Sequence, residues 1–168
     1  GRLVASLMPE EPEALGLLSL MLFAEARRAA RRDAAGHYIP LGEQQVLLWD
    51  HRMIEEAEAF LRGASTMPGT GRYQIEAAIQ SAHVVRRASG RVDWRAILGL
   101  YEVLAIIAPS PVVTINRAVA LAEAGGAEAG LAALVGMEDD AHLASYQPYW
   151  AAKAELLGRV GRQAEAAD

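Results

Sequence analysis

The chain has 168 residues and a mass of 18.0 kDa; 52 % of its residues are hydrophobic and 22 % are charged. This composition predicts one globular domain over residues 1–168 and argues against a disordered chain. The absence of cysteine excludes disulfide frameworks, thiolate zinc sites and cysteine nucleophiles. The net charge of −5 disfavours a surface that binds nucleic-acid phosphates.

The first predicted helix begins at Pro12, because proline is favoured in the first turn of a helix. Residues 14–24 carry no charge and are apolar nearly all round, so we expect this segment in the centre of the core. They number 11, whereas a bilayer span needs about 20, and we therefore expect no membrane helix. The helix is expected to continue through the basic stretch 25–32 and to end by Gly36.

Three further helices are predicted in the middle of the chain. One runs from about 43 to 64 and is ended by the breaker 67–71, and the next covers 73–87. Asp93 is a suitable N-cap for the last of the three, which stops at 109–111. Its apolar stripe consists of Trp94, Ile97, Leu98, Tyr101, Leu104, Ala105 and Ala108.

Two helix–turn–helix units are predicted at the end of the chain, over 112–135 and 146–168, and the second is cut short. Their turn glycines, Gly125 and Gly161, lie 36 residues apart, near the roughly 34-residue tetratricopeptide period. The spacing therefore favours stacked helix pairs.

Small residues follow each turn glycine, at Gly130 and Ala166, where such a repeat needs its two helices to cross closely. We predict an all-α fold: an antiparallel helix-pair stack, or tetratricopeptide-like α-solenoid. Residues 1–90 form its less regular part, and 91–168 form the helix pairs. Because the chain does not begin with methionine and its last residues resemble an interrupted helix, we expect it to be a fragment of a longer protein.

The sequence offers no candidate for catalysis or metal binding. No two of the four histidines are three or four residues apart, and the pair His51 and Glu55 lacks a third ligand. Neither a serine-nucleophile motif nor a phosphate-binding glycine loop occurs. We therefore predict that the protein is not an enzyme and holds neither a metal nor a cofactor.

Four arginines at the end of the first predicted helix form a candidate binding surface. Their spacing places them on one side of a helix: Arg27, Arg28, Arg31 and Arg32. One interpretation is a solvated helix end, whose arginines complement the helix dipole and pair with Glu25 or Asp33. The other is a docking face for an acidic protein segment, because guanidinium groups bind carboxylates through two parallel hydrogen bonds. The sequence leaves both interpretations open.

Further candidates are polar or aromatic residues in apolar surroundings: Trp49, Asp50, Tyr73, Gln74, His83, Asn116 and Arg117. Side chains of this kind are more often core or capping residues than ligands. Asn116 and Arg117 receive more weight, because the first helices of stacked helix pairs line a concave binding face.

Several dispersed motifs occur in a characteristic order. They are LGLLSLML at 15–22, ARRAAR at 26–31, Leu41 with Gln44 and LWD at 48–50, YQIEAAI at 73–79 with His83, Asp93-Trp94, and SPVVTINRAVA at 110–120. Together they resemble the C-terminal, tetratricopeptide-like extension of bacterial extracytoplasmic-function sigma factors of the sigma-70 family. The resemblance covers nearly the whole chain.

The resemblance implies a parent protein that directs RNA polymerase to promoters through N-terminal regions absent from this chain. DNA contact would belong to those regions. For this chain it implies a cytoplasmic regulatory domain with no membrane partner. Its partners would be the N-terminal sigma regions of the same protein, RNA polymerase or another protein, reached through the arginines or the concave face.

A second function also remains open, namely the sensing of a small molecule. Trp49, Tyr73, His83 and Tyr101 would then line a pocket between helix layers. An enzyme is the least favoured class, because no acid–base constellation is visible.

Overall fold

The computed structural model describes residues 1–135, 137 and 146–161, apart from the Arg87 side chain. Within these ranges the chain forms helices, short 3-10 turns and one isolated backbone bridge, but no strand. The helices are α1 (Arg2–Leu7), α2 (Pro12–Ala26), α3 (His51–Ser65), α4 (Arg72–Val84), α5 (Arg86–Ser89), α6 (Trp94–Ile107), α7 (Pro111–Gly125), α8 (Ala127–Leu134) and α9 (Gln147–Arg159). The predicted all-α fold is confirmed. None of these helices is long and apolar enough to cross a bilayer.

The chain divides into two compact units, Gly1–Val92 with α1–α5 and Asp93–Asp168 with α6–α9. The sequence predicts a change in regularity at residue 90, close to this boundary. That the whole of 1–168 acts as one domain stays a prediction.

The central helix of the first unit is α2, which packs against α3 and α4. Phe23 is fully buried, and the Ser19 hydroxyl donates a hydrogen bond of 2.8 Å to the carbonyl oxygen of Ala57 in α3. Gly16 approaches the start of α4 so closely that an added Cβ would lie 2.7 Å from the backbone nitrogen of Gln74. Only a residue without a side chain allows this contact.

A carboxylate of α2 caps the start of α4. Glu13 accepts hydrogen bonds from the backbone N–H groups of Tyr73 and Gln74, both at 3.0 Å, which the helix itself leaves unpaired. The buried Gln74 side chain accepts from the Gly71 N–H at 2.9 Å and donates to the Ala64 carbonyl of α3 at 3.0 Å. These bonds join α2, α3 and α4 at one end of the unit.

The expectation that the first long helix runs through 25–32 is wrong, because α2 ends at Ala26 and a 3-10 turn over Arg28–Ala30 follows. Donors from outside the helix satisfy its last carbonyls, which a continuing helix would have bonded itself. They are Arg27 Nε to Phe23 at 3.1 Å, Arg31 Nη2 to Ala24 at 2.7 Å and the Asp50 N–H to Ala26 at 2.8 Å.

The helix predicted from 43 begins only at His51, because Asp50 is its N-cap and accepts from the Met53 N–H at 3.0 Å. The preceding residues form 3-10 turns over Leu41–Glu43 and Val46–Leu48. The apolar run at 46–48 fits a helical period, but here it turns the chain so that Trp49 is buried.

Two smaller differences concern the ends of the first unit. The sequence pattern did not indicate α1 (Arg2–Leu7). The helix predicted over 73–87 ends at Val84, and the short α5 follows until Gly90, whose φ of 69° ends it.

The second unit follows the sequence pattern closely. Asp93 caps α6 by accepting from the Ala96 N–H at 3.0 Å, and Ser110 caps α7 by accepting from the Val113 N–H at 3.2 Å. In this unit α7 packs against α6 and α8, and α8 packs against α9. The helix pair predicted over 112–135 is confirmed as α7 and α8. Of the second pair, α9 is present, whereas Ala166 lies outside the described residues.

The close crossing of α7 and α8 depends on Gly130, as the repeat spacing predicts. A Cβ added there would lie 2.6 Å from the Ala122 Cβ and 2.8 Å from the Ala118 carbonyl oxygen. Such distances are far inside van der Waals contact, so glycine sets the spacing of this helix pair.

Candidate functional site

Three arginines of the first unit form what we call the arginine cluster: Arg27, Arg31 and Arg86. Arg27 is buried, with 7 % of its surface exposed, although guanidinium groups are seldom buried without a charged partner. Burial, together with the positive charges of Arg31 and Arg86, lowers the pKa of Arg27 from its ordinary value to about 10. Arg27 therefore stays charged at neutral pH.

Each member of the cluster is held by uncharged oxygen atoms. Arg27 donates to the Phe23 carbonyl and to the Gln80 side chain, and Arg31 donates to the Ala24 carbonyl. Arg86 donates to three carbonyls of the loop before α3: Gly42 at 2.7 Å, Leu41 at 2.9 Å and Gln44 at 3.2 Å. These bonds fix the guanidinium groups without neutralising them, and they leave some of the five donors of each group unused.

Within the part of the chain that the structure describes, no carboxylate forms an ion pair with the cluster. The nearby acid Glu25 pairs instead with the exposed Arg28, at 3.1 Å. The C-terminus of α2 supplies the equivalent of about half a negative charge against three positive charges. The cluster is therefore a local excess of positive charge on an acidic protein.

The pKa of His83, in α4, is affected by the same positive charges. Burial, followed by the positive charges of Arg27 and Arg86, lowers the pKa of His83 from 6.5 to about 4. The imidazole is thus neutral at pH 7 and adds no charge to the cluster.

Two buried polar atoms stand beside the cluster without hydrogen-bond partners among the described residues. The Arg86 guanidinium lies over the Trp49 ring, 5.4 Å from its centroid. Trp49 is buried, yet its indole Nε1–H has no acceptor, and the buried Gln44 Oε1 has no donor. Native structures seldom leave such groups unpaired, so each calls for a partner such as an ordered water, an ion or a ligand.

Exposed apolar side chains flank the cluster along the chain. Leu47 is 95 % exposed. Leu48, which precedes Trp49, and Val85, which precedes Arg86, are each about half exposed. An open groove of about 630 Å³ beside Trp49 is lined by Ala26, Leu48 and Met53, together with the charged residues Glu25, Arg28 and Asp50. The site therefore combines fixed positive charge with accessible apolar surface.

The structure brings together Arg27, Arg31, His83 and Trp49 around Arg86. Arg28 and Asp50 line the groove beside Trp49. The expectation that Arg27, Arg28, Arg31 and Arg32 share one side of a helix is wrong, because α2 ends before them. Arg28 points to solvent with Glu25, and Arg32 donates to the Gly36 carbonyl.

Three of the predicted residues have structural roles in the first unit. Asp50 caps α3, and Gln74 joins the start of α4 to the end of α3. Tyr73 lies at that same end of α4, with the Arg72 guanidinium 5.6 Å from its ring centroid. It stands ten residues before His83, about 15 Å along the helix, so the pocket proposed to include both is not assembled there.

Asn116 and Arg117 belong to α7 of the second unit. Asn116 is exposed, and Arg117 Nη2 lies 4.0 Å from Glu102 Oε1 of α6. Whether they line a binding face stays a prediction.

Sequence reasoning missed Arg86, which holds the loop, covers Trp49 and lowers the pKa of His83. The available signal was the basic pair Arg86-Arg87 after His83. Only the tertiary structure shows that Arg86 lies near Arg27, at the end of α2. Among the described residues, no three His, Cys, Asp or Glu side chains are grouped in a way that could hold a metal ion.

Comparisons with known proteins add two findings. Residues 1–65 match the model of a family described as a family of unknown function, DUF6596. Over 165 residues the chain is 40 % identical to "Uncharacterized protein R00370" of Rhizobium meliloti (strain 1021), which covers 98 % of this chain and 38 % of that protein. The chain thus spans about two fifths of the length of this relative. No solved structure is significantly similar.

Proposed function

We propose that this chain is a regulatory, protein-interaction domain of an extracytoplasmic-function sigma factor in the bacterial cytoplasm. It modulates promoter-directed transcription by docking on the N-terminal sigma regions, on RNA polymerase or on a partner protein. The dispersed motifs that resemble the C-terminal extension of such sigma factors support the assignment.

The observation that carries the docking proposal is the arginine cluster. Arg27, Arg31 and Arg86 are held by neutral oxygen atoms and have no carboxylate partner among the described residues. A purely structural cluster is expected to recruit an acid, since charge-assisted bonds stabilise more than neutral ones. The unused N–H groups of these guanidinium groups have no anionic partner among the described residues. An acidic segment of a partner protein would supply one.

Calorimetry of this chain with the separate N-terminal sigma fragment tests the proposal at two salt concentrations. We expect binding that weakens at the higher concentration, because screening reduces attraction between accessible charges. The double substitution Arg31→Gln and Arg86→Gln is expected to weaken it about tenfold or more. The matched control is Arg52→Gln, which removes an exposed arginine of α3 in the same unit.

Failure of the folded chain to bind the fragment or RNA polymerase would overturn docking on these two partners. Equal binding by the double variant and the wild type would leave docking in place but remove the arginine cluster from it.

A small-molecule sensor is the second candidate, and the groove beside Trp49 favours it. Its volume of about 630 Å³ falls within the range of small-molecule sites, and the indole N–H of Trp49 lacks an acceptor. A metabolite screen by thermal shift would reveal it as a rise in melting temperature. We expect Trp49→Phe to remove that rise. No catalytic role is proposed for the chain.

A further inference from the structure

The arginine cluster, the unpaired indole of Trp49 and the exposed leucines of the 46–48 turn lie along one stretch of the first unit. We propose that this surface binds a segment of a protein in which aspartate or glutamate side chains alternate with large apolar ones. The inference rests on the proposed docking function and specifies its ligand.

The polar requirement of the site is for hydrogen-bond acceptors. Arg27 and Arg31 together use only three N–H groups in the bonds described above, and a guanidinium has five. The Trp49 indole N–H also lacks an acceptor but is buried, so the partly exposed Arg31 and Arg86 are the donors that a partner can reach. A carboxylate is acceptor-only and binds a guanidinium through two parallel bonds, so it suits these two arginines.

The apolar requirement comes from the neighbouring side chains. Leu47 extends almost fully into solvent, and Val85, adjacent to Arg86 in the chain, is half exposed. Burial of such a side chain against a partner is worth on the order of tenfold in affinity. A segment that carries apolar residues next to its acids would cover these side chains while its carboxylates reach the arginines.

The surrounding charges favour a protein segment over a nucleic acid. Glu25, Asp33, Glu43 and Asp50 stand in the same part of the chain as the arginines. Binding of a polyanionic backbone requires an extended cationic surface, and these four acids interrupt it. A few separated carboxylates, in contrast, can bind localised guanidinium groups and need no continuous cationic surface.

The test uses fluorescence anisotropy with this chain and a short labelled peptide in which glutamate alternates with leucine. One matched peptide replaces each glutamate by glutamine, and a second replaces each leucine by serine. A single-stranded RNA of similar length is the third probe. We expect the glutamate–leucine peptide to bind at least about tenfold more tightly than either matched peptide.

Variants of the chain locate the binding. Arg31→Gln is expected to weaken binding of the acidic peptide about tenfold, and Leu47→Ser a few-fold, while Arg52→Gln and Leu7→Ser leave it unchanged. Leu47 is so exposed that its replacement is not expected to affect folding. If Arg31→Gln melts at a much lower temperature, Arg31→Lys replaces it: the charge is kept but the forked donor geometry is lost, and we still expect weaker binding.

Three results would overturn the inference: equal binding of the glutamine peptide, tighter binding of the RNA, or binding of the acidic peptide that is indifferent to Arg31. If the sigma fragment binds in an Arg31- and Arg86-dependent way but the acidic peptide neither binds nor competes with it, docking stands and this ligand assignment fails.

Discussion

The two units of the chain both consist of short packed helices, but they differ in the groups that hold the helix ends. In Gly1–Val92 some helix ends are held by side chains from outside the helix, such as Glu13 of α2 at the start of α4, and Arg27 and Arg31 at the end of α2. In Asp93–Asp168, α6 and α7 are capped by the side chains that directly precede them, and α7 and α8 approach closely at Gly130. The arrangement in the first unit concentrates positive charge at the end of α2.

This difference favours the first unit as the place where a partner binds. A helix pair built on local caps and small residues is stable without unusual chemistry. A loop held by the partly buried Arg86, beside the buried Arg27 and the unpaired indole of Trp49, departs from local rules. Such departures in natural proteins are expected at functional sites. The following predictions test the contrast, from the largest expected effect to the smallest.

Gly130→Ala should destabilise the second unit by about 1–3 kcal/mol, because the new Cβ overlaps Ala122 and the Ala118 carbonyl. The matched control is Gly99→Ala in α6, where a Cβ would meet nothing within 4 Å. That change is expected to stabilise by about 0.5–1 kcal/mol, because alanine favours a helix over glycine. Chemical denaturation followed by circular dichroism measures both. Similar effects at the two positions would mean that α7 and α8 do not cross closely.

Glu13→Gln should destabilise the first unit by about 1–2 kcal/mol, because a neutral amide replaces the carboxylate that caps α4. Hydrogen exchange should become faster at Tyr73 and Gln74 and stay unchanged in the second unit. Glu10→Gln, at an exposed position before α2, serves as the control. Loss of protection in both units alike would contradict the separation between them.

Arg86→Gln should loosen the loop before α3, because three hydrogen bonds to Leu41, Gly42 and Gln44 are weakened or lost and the cation over Trp49 is removed. We expect faster exchange and greater quenching of Trp49 by iodide or acrylamide, with about 1–2 kcal/mol lower stability. Trp94→Phe and Trp150→Phe in the same background make Trp49 the reporter. A Trp49 that stays protected would show that other contacts hold the loop.

The pH dependence of the first unit should carry a contribution from His83. Its pKa in the folded chain is about 4, against 6.5 as the ordinary value, so protonation favours the unfolded chain. The stabilising effect of a neutral His83 is complete above pH 6.5 and decreases as the pH falls from 6.5 towards 4. Between pH 6.5 and 5, His83→Gln should flatten the pH profile of unfolding.

His37→Gln is the control for that experiment, since His37 is exposed and lies 3.1 Å from Asp33. Binding of an acidic segment at the arginine cluster should also raise the pKa of His83, because it offsets the charges of Arg27 and Arg86. Histidine NMR titration with and without the peptide measures this shift. An unmoved His83 pKa in a saturated complex would place the peptide elsewhere.

Much of the fold could be predicted from the order of the residues, because the signals concerned are local. Pro12, Asp93 and Ser110-Pro111 mark helix starts, and Gly90 and Gly125 mark ends, each through the conformation of one or two residues. The need for a small residue at position 130 followed from the repeat spacing, and the structure narrows it to glycine. The all-α class and the regular second half depend only on such signals.

The candidate site could be predicted only in part, because its contacts span large separations in the chain. Arg27 bonds Gln80, and Arg86 bonds the loop at 41–44. Arg27, Arg31, Trp49 and His83 were recognisable as unusual residues, but Arg86, which connects them, was not. The end of α2 was misplaced because the side chains of Arg27 and Arg31, and the backbone N–H of the distant Asp50, bond its last carbonyls.

The sequence alone thus determined the helices whose ends are set by neighbouring residues, and the spacing of the helix pair at Gly130. The tertiary structure alone decided which arginines are buried, which polar atoms lack partners and which apolar side chains of the 46–48 turn face solvent. The physical reason is that a cap is a contact over a few residues, whereas the charge, burial and hydrogen bonding of Arg27, Trp49 and Arg86 depend on elements brought together by folding.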